Sequence, residues 1–138
     1  MMSLYRFGIS LEKDLIDQFD KLLKQRKYKN RSEAIRDLIR EELVRKQWRC
    51  GNEVAGAINL IYDHHKRELV NHLMDIQHDF GKTIISTQHI HLDHDHCMEI
   101  VAVKGKAKDV SDLANALKAL RGVMHVSISM SSTGRKLV

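Results

Sequence analysis

Tyr5, Phe7, Ile9 and Leu11 alternate with Arg6, Gly8 and Ser10, the period-two signature of a half-buried strand. The period then changes. Leu15, Ile16, Phe19, Leu22 and Leu23, followed by Ala34, Ile35, Leu38, Ile39 and Leu43, recur at spacings of three and four. That spacing lays one apolar stripe along each of two helices. Asn30 with Glu33 three residues later reads as a capping box at the start of the second helix. This helix runs out near Trp48, and residues 49–53 read as a short connection. Beyond it the pattern predicts strands at 54–62, 83–92, 98–104 and 123–130, with helices at 66–80 and 110–120. The order β-α-β-β-α-β is that of a ferredoxin-like sandwich, so the expected class is α+β. Val101 and Val103 face opposite to Ile100 and Ala102, so the central strand is apolar on both sides, which favours oligomerisation through the sheet. The expected organisation is an N-terminal domain at 1–49, a linker at 50–53 and a C-terminal domain at 54–138.

One strand and two helices in fewer than fifty residues bury too little apolar surface alone, and a single strand leaves both edges unpaired. A dimer resolves both problems. Two copies of 5–11 pair antiparallel into a ribbon that projects Arg6, Gly8 and Ser10 from one face. Such a ribbon fits the major groove of duplex DNA, where arginine bonds guanine bidentately and serine bonds several bases. The second helix then aims its free amides at a phosphate, making Asn30, Arg31 and Ser32 candidate DNA contacts.

Charge divides along the same boundary. Residues 1–50 carry 13 basic and 8 acidic groups, net +5, whereas residues 51–138 carry 10 of each and all nine histidines. Two stretches so different are built for different partners. No apolar run reaches the ~20 residues that cross a bilayer, and the N-terminus lacks the apolar core of a signal peptide. Two cysteines without a secretory signal imply a reducing cytoplasm, where a thiol is a ligand or core residue. Hydrophobic content of 43% is too high for a disordered chain.

The chemistry gathers in His89-Ile-His-Leu-Asp-His-Asp-His-Cys97. Residues two apart on a strand point the same way, so His89 and His91 converge on one ion. A tight connection over 93–96 returns Cys97 beside them. His78, near the end of its helix, is placed to supply a fourth nitrogen from the same chain or another. Three nitrogens and one sulfur suit square-planar Ni(II) or Cu(II), a tetrahedral set suits zinc, and spacing alone does not choose. His64, His65, His72 and His125 read as surface or capping residues, His94 and His96 as solvated turn residues, and Cys50 as a core or surface thiol.

Arg6-x-x-x-Ser10 and Tyr28-Lys-Asn-Arg-Ser-Glu-Ala-Ile-Arg-Asp37 resemble the ribbon-helix-helix domain of the nickel-responsive repressors. Ile76-Gln-His78, His89-x-His91 and Cys97-Met-Glu-Ile100 resemble the same family's ACT-like regulatory half, at its usual spacing. The resemblance implies an intertwined β-α-α dimer and base readout by Arg6, Gly8 and Ser10. Gly8 departs from the pattern, since a hydroxyl residue is commoner there. The resemblance further implies a square-planar site for one Ni(II) per subunit, made of His89, His91 and Cys97 with His78 of a neighbour, in a homotetramer built as a dimer of dimers. Glu33 and Asp37 would help hold a cation where the domains meet. Tyr62-Asp-His-His-Lys66-Arg67 matches the segment that touches the DNA backbone in the metal-bound state, which makes Lys66 and Arg67 candidate phosphate contacts. The function implied is a cytoplasmic, nickel-dependent repressor of nickel-uptake genes that binds double-stranded operator DNA. No catalytic residue, membrane partner or small organic substrate is expected. The competing readings are a repressor answering to copper, cobalt or zinc, a metal-independent ribbon-helix-helix regulator, and, remotely, a zinc hydrolase with Glu99 as its base.

Overall fold

The computed structural model describes residues 2–137 and falls into two compact units, residues 1–40 and 41–138. In the first, the apolar stripe of α1 (Lys13–Gln25) and the start of α2 (Arg31–Arg49) bury only Leu23 and Ala34. Tyr28 N–H donates to the Leu23 carbonyl and Lys27 takes a positive φ of 58°, a left-handed helix end of the kind glycine usually supplies. The Asn30 side chain accepts from the Glu33 N–H at 2.9 Å, so Asn30 caps α2 as the sequence predicts. Arg31 grips Asp20 of α1 with two hydrogen bonds, 3.0 and 2.8 Å.

Residues 5–11 form no strand in the single chain. Strand geometry is stabilised by a hydrogen-bonded neighbour, and among the described residues this segment has none in its own sheet. Its alternation survives as exposed apolar surface: Tyr5, Phe7, Ile9 and Leu11, together with Leu15, Leu38 and Ile39, all face solvent.

The second unit matches its predicted order. Strands β1 (Glu53–Asp63), β2 (Ile84–His91), β3 (His96–Lys106) and β4 (Val123–Met130) form one antiparallel sheet in the order β2-β3-β1-β4. Helices α3 (Arg67–Asp79) and α4 (Ala107–Lys118) cover one face. Ile58, Leu60, Val101 and Val103 meet Leu69, Leu73, Val110, Leu113 and Leu117 in a continuous core. Each such side chain contributes roughly 1.5–3 kcal/mol by leaving water. The opposite face, with Ala57, Ile61, Met98, Ile100 and Ala102, is only partly buried.

α4 starts at Ala107, three residues before the expected Val110, because extended Lys106 (φ −64°, ψ 139°) leads straight from strand into helix. Gly122, at φ 102°, turns α4 into β4 where a Cβ would come 3.1 Å from Leu69 Cδ2. α2 runs on past residue 40, so its last turns belong to the second unit. There Trp48 is buried against the sheet core and its indole N–H donates to the Ser131 carbonyl at 2.8 Å. Residues 50–52 form the turn into β1: Gly51 has φ 72°, and Asn52 N–H donates to the Gln47 carbonyl.

Candidate metal centre and nucleic-acid interface

Antiparallel register assembles the candidate ligands. His91 pairs with Cys97 and His89 with Glu99 across β2 and β3, while Tyr62 pairs with Cys97 across β1 and β3. Directly opposed residues share a face, so His89, His91, Cys97, Glu99 and Tyr62 all lie on the helix-covered side. The turn between β2 and β3 is organised by Asp93, whose carboxylate accepts from the N–H groups of Asp95 and His96 at 2.8 Å each and from the His96 ring at 2.9 Å. The His96 bond leads these in holding the Asp93 acid down to about 2, and the same contact raises His96.

Cys97 is completely buried. Its sulfur lies 3.4 Å from His91 Nδ1, and the rings of His89 and His91 stand 5.1 Å apart. Burial pushes the thiol up, and the nearby carboxylates of Asp63, Asp93 and Glu99 push it further. An electropositive centre is what would make such a thiolate favourable. Two imidazoles and a soft sulfur on one rigid sheet face are a donor set suited to a borderline transition metal. The residues present therefore fit a nickel ion. Among the described residues, His78 joins no cluster of ligand atoms in its own chain. It sits exposed on the last turn of α3, lining a depression with Asp79, Phe80, Lys82, Thr83 and Asp109.

Tyr62, Gln77 and His64 surround the site, although the sequence pattern gives none of them a part in it. The Tyr62 hydroxyl donates to Glu99 Oε2 at 3.2 Å and lies 3.0 Å from His89 Nδ1. Burial, then the charge of Glu99, raise the Tyr62 pKa and keep it protonated. Gln77 of α3 donates to Glu99 Oε1 at 2.6 Å, so both oxygens of this buried carboxylate are engaged. A continuous polar chain thus runs from His89 through Tyr62 and Glu99 to the residue next to His78. His64, expected at the surface, lies 3.2 Å from Cys97 Sγ by its Nδ1. Burial and the neighbouring His65 and His91 lower its pKa, favouring the neutral, ligating form. Each of these contacts joins residues at least 22 positions apart in the chain, which no local pattern records.

The candidate DNA contacts are exposed. Arg6, Gly8 and Ser10 lie in the unpaired segment, and no protein atom would stand within 4 Å of a Cβ at Gly8. Arg31 and Ser32 flank the α2 cap, with Arg31 engaged by Asp20. Lys66 and Arg67 form the exposed start of α3, and Lys66 N–H donates to the Asp63 carbonyl. Asp37, one turn beyond Glu33, accepts from the Tyr28 hydroxyl at 2.8 Å.

Two family models match this chain: the NikR C-terminal nickel-binding domain over residues 55–131, and the ribbon-helix-helix protein, copG family, over residues 5–46. The chain belongs to the NikR family of nickel-responsive regulators. Family membership makes it a regulator and not an enzyme, with Ni(II) as the metal of its C-terminal domain. The strand-helix-helix expectation at the N-terminus is met by the family, although the ribbon itself is not formed in the isolated chain. Relatives named as putative nickel-responsive regulators include those of Chlorobium phaeobacteroides, 64% identical over 96% of this chain and 98% of theirs, and Syntrophus aciditrophicus, 60% identical over 98% of both. A relative of the same description from Pyrococcus abyssi is 46% identical over 99% of this chain and all of its own. An uncharacterized protein of Thermotoga maritima shares the fold at TM-score 0.51 and 12% identity, covering 56% of this chain and 95% of its own. Glu99, the candidate base of the hydrolase reading, is a buried structural acceptor.

Proposed function

We propose that this NikR-family protein is a nickel-dependent transcriptional repressor in which His89, His91 and Cys97 of one subunit and His78 of a second hold one Ni(II). The observation that carries this reading is the register that sets His91 opposite the buried Cys97 with His89 beside them, inside the stretch matching a nickel-binding domain. The exposed side chain of His78, apart from that cluster in its own chain, supports a role between subunits. The half-covered outer sheet face supports assembly into a tetramer.

His89, His91 and Cys97, with His78 of the partner subunit, would hold Ni(II), which would supply the positive charge that stabilises the Cys97 thiolate. The chain does the rest. Cys97 gives up its proton on binding, so occupancy falls as pH drops. Tyr62, anchored by Glu99, fixes the His89 ring, as hydrogen-bonded partners of ligand histidines commonly do. Gln77 ties the end of α3 to the same carboxylate. Recruiting His78 of the partner subunit restrains α3, whose first residues offer Lys66 and Arg67 to DNA phosphates. Residues 5–11 of two copies pair into the ribbon, covering the exposed apolar side chains, and present Arg6, Gly8 and Ser10 to operator bases. Asn30, Arg31 and Ser32 approach the backbone, and Glu33 with Asp37 takes a cation. The genes controlled are those of nickel uptake, so bound nickel closes its own supply.

Nickel titration followed by thiolate charge-transfer absorption tests the ligand set. One equivalent per subunit, with the band abolished in Cys97→Ala and in His78→Ala, is expected. A band and affinity unchanged in His78→Ala would remove the partner residue from the site.

A further inference from the structure

One carboxylate borders the basic run at the junction of α1 and α2. Residues 20–31 hold six basic side chains, Lys21, Lys24, Arg26, Lys27, Lys29 and Arg31, and a single acid, Asp20, for a net charge of 6 − 1 = +5. Such a run attracts phosphates by charge, and an acid beside it opposes that attraction. Asp20 is engaged all the same. Its Oδ1 accepts from Arg31 Nε–H at 3.0 Å and its Oδ2 from Nη2–H at 2.8 Å, a paired bond across eleven positions that ties α1 to the start of α2. Most surface ion pairs contribute little, but a bidentate arginine–carboxylate fork fixes geometry as well as charge. The Arg31 and Asp20 side chains are 59% and 39% exposed, so a ligand can reach the guanidinium.

We propose that Asp20 is a positioning residue for DNA binding, holding the Arg31 guanidinium so that its remaining edge is presented to a phosphate. The proposal rests on the reading of Arg31 as a contact to the DNA backbone. A guanidinium carries five N–H donors in one rigid plane. Asp20 takes the side edge, the hydrogen of Nε and one of Nη2, which leaves both hydrogens of Nη1 and the second of Nη2. That edge is the fork that meets two phosphate oxygens. An unrestrained arginine gives up rotamer freedom when it docks on the backbone. One already clamped to the neighbouring helix has given it up on folding, and preorganisation of this kind tightens binding. Asp20 thus weakens the attraction between the basic run and a polyanion, but fixes the direction from which Arg31 meets it.

The test is a double-mutant cycle on the full-length protein with saturating Ni(II). Affinity for a duplex selected from random DNA is measured at several salt concentrations for the wild type, Asp20→Ala, Arg31→Ala and the double variant, with melting temperatures to show that each is folded. Arg31→Ala should bind more weakly and flatten the dependence of log affinity on log salt by nearly one unit. Asp20→Ala should bind roughly three- to tenfold more weakly, within the coupling range of residues in contact, although removing an acid beside DNA would by charge alone tighten binding. In the Arg31→Ala background the same Asp20→Ala change should no longer weaken binding, a dependence that a merely structural role for Asp20 would not show. Unchanged or tighter binding by Asp20→Ala, with Arg31→Ala still weakened, would overturn the positioning role and leave the Arg31 contact standing. An equal loss from Asp20→Ala in both backgrounds would overturn it too. Affinity and salt slope indifferent to Arg31→Ala would remove the contact and the proposal with it.

Discussion

Tyr62 joins two otherwise separate groups through a single hydroxyl. Its inward position follows from alternation with Ile58 and Leu60 along β1, and the register then puts it beside Cys97 and within reach of both His89 and Glu99. Tyr62→Phe keeps the ring but leaves Glu99 Oε2 without this donor, and an unsatisfied buried acceptor costs about 1–3 kcal/mol. The expected result is a lower melting temperature and nickel affinity reduced about 10- to 100-fold; unchanged affinity would show that His89 needs no such support. In the N-terminal unit, Asp20 and Arg31 give a pH test. The hydrogen bond from Arg31, aided by its charge, lowers the Asp20 pKa below its ordinary 3.8. A depressed acid contributes its stabilisation above the ordinary value and loses it as pH falls through the folded one. Carboxyl titration by NMR should place Asp20 below 3.8 in the wild type and return it toward that value in Arg31→Ala; the same midpoint in both would dissolve the pair in solution.

At the level of elements, the helices and the four strands of the C-terminal sheet were legible because each buries one face, and periodicity records which one. Val110, Leu113, Ala114 and Leu117 announce α4, all buried against the sheet. The juxtaposition of His89, His91 and Cys97 was legible for the same reason, since period two along a strand and a short turn suffice to bring them together. His64 was not legible, because its neighbour Cys97 is 33 positions away and only the pairing of β1 with β3 makes them adjacent. Nor does a strand at residues 5–11 exist in one chain, although its alternation is plain: a ribbon is a property of two copies. The start of α3 carries the next prediction. If Lys66 and Arg67 bind phosphates in the nickel-bound complex, replacing both with alanine should flatten the dependence of log affinity on log salt by nearly one unit for each phosphate no longer neutralised. An unaltered slope would place them outside the interface.

For the molecule as a whole, the partition of charge states the division of labour. Net charge of +5 over residues 1–50 and none over residues 51–138 accord with a polyanion bound by one part and a cation by the other. The coupling needs no change of fold. On the proposed reading the site takes ligands from β2 and β3, the chain Tyr62–Glu99–Gln77 reaches α3, and His78 lies in the last turn of that helix, so metal and DNA would meet in the ordering of one element. A coupling of about 1–3 kcal/mol, typical of allosteric proteins, changes affinity about 5- to 150-fold, and new phosphate contacts at the start of α3 would add to it. The most direct test of nickel-dependent repression is the affinity for a duplex selected from random DNA, determined at fixed salt with Ni(II) and with a chelator, for the wild type and Cys97→Ala. Nickel should tighten binding by the wild type at least fivefold and leave Cys97→Ala at its chelated level; equal affinity with nickel and chelator in the wild type would contradict the account.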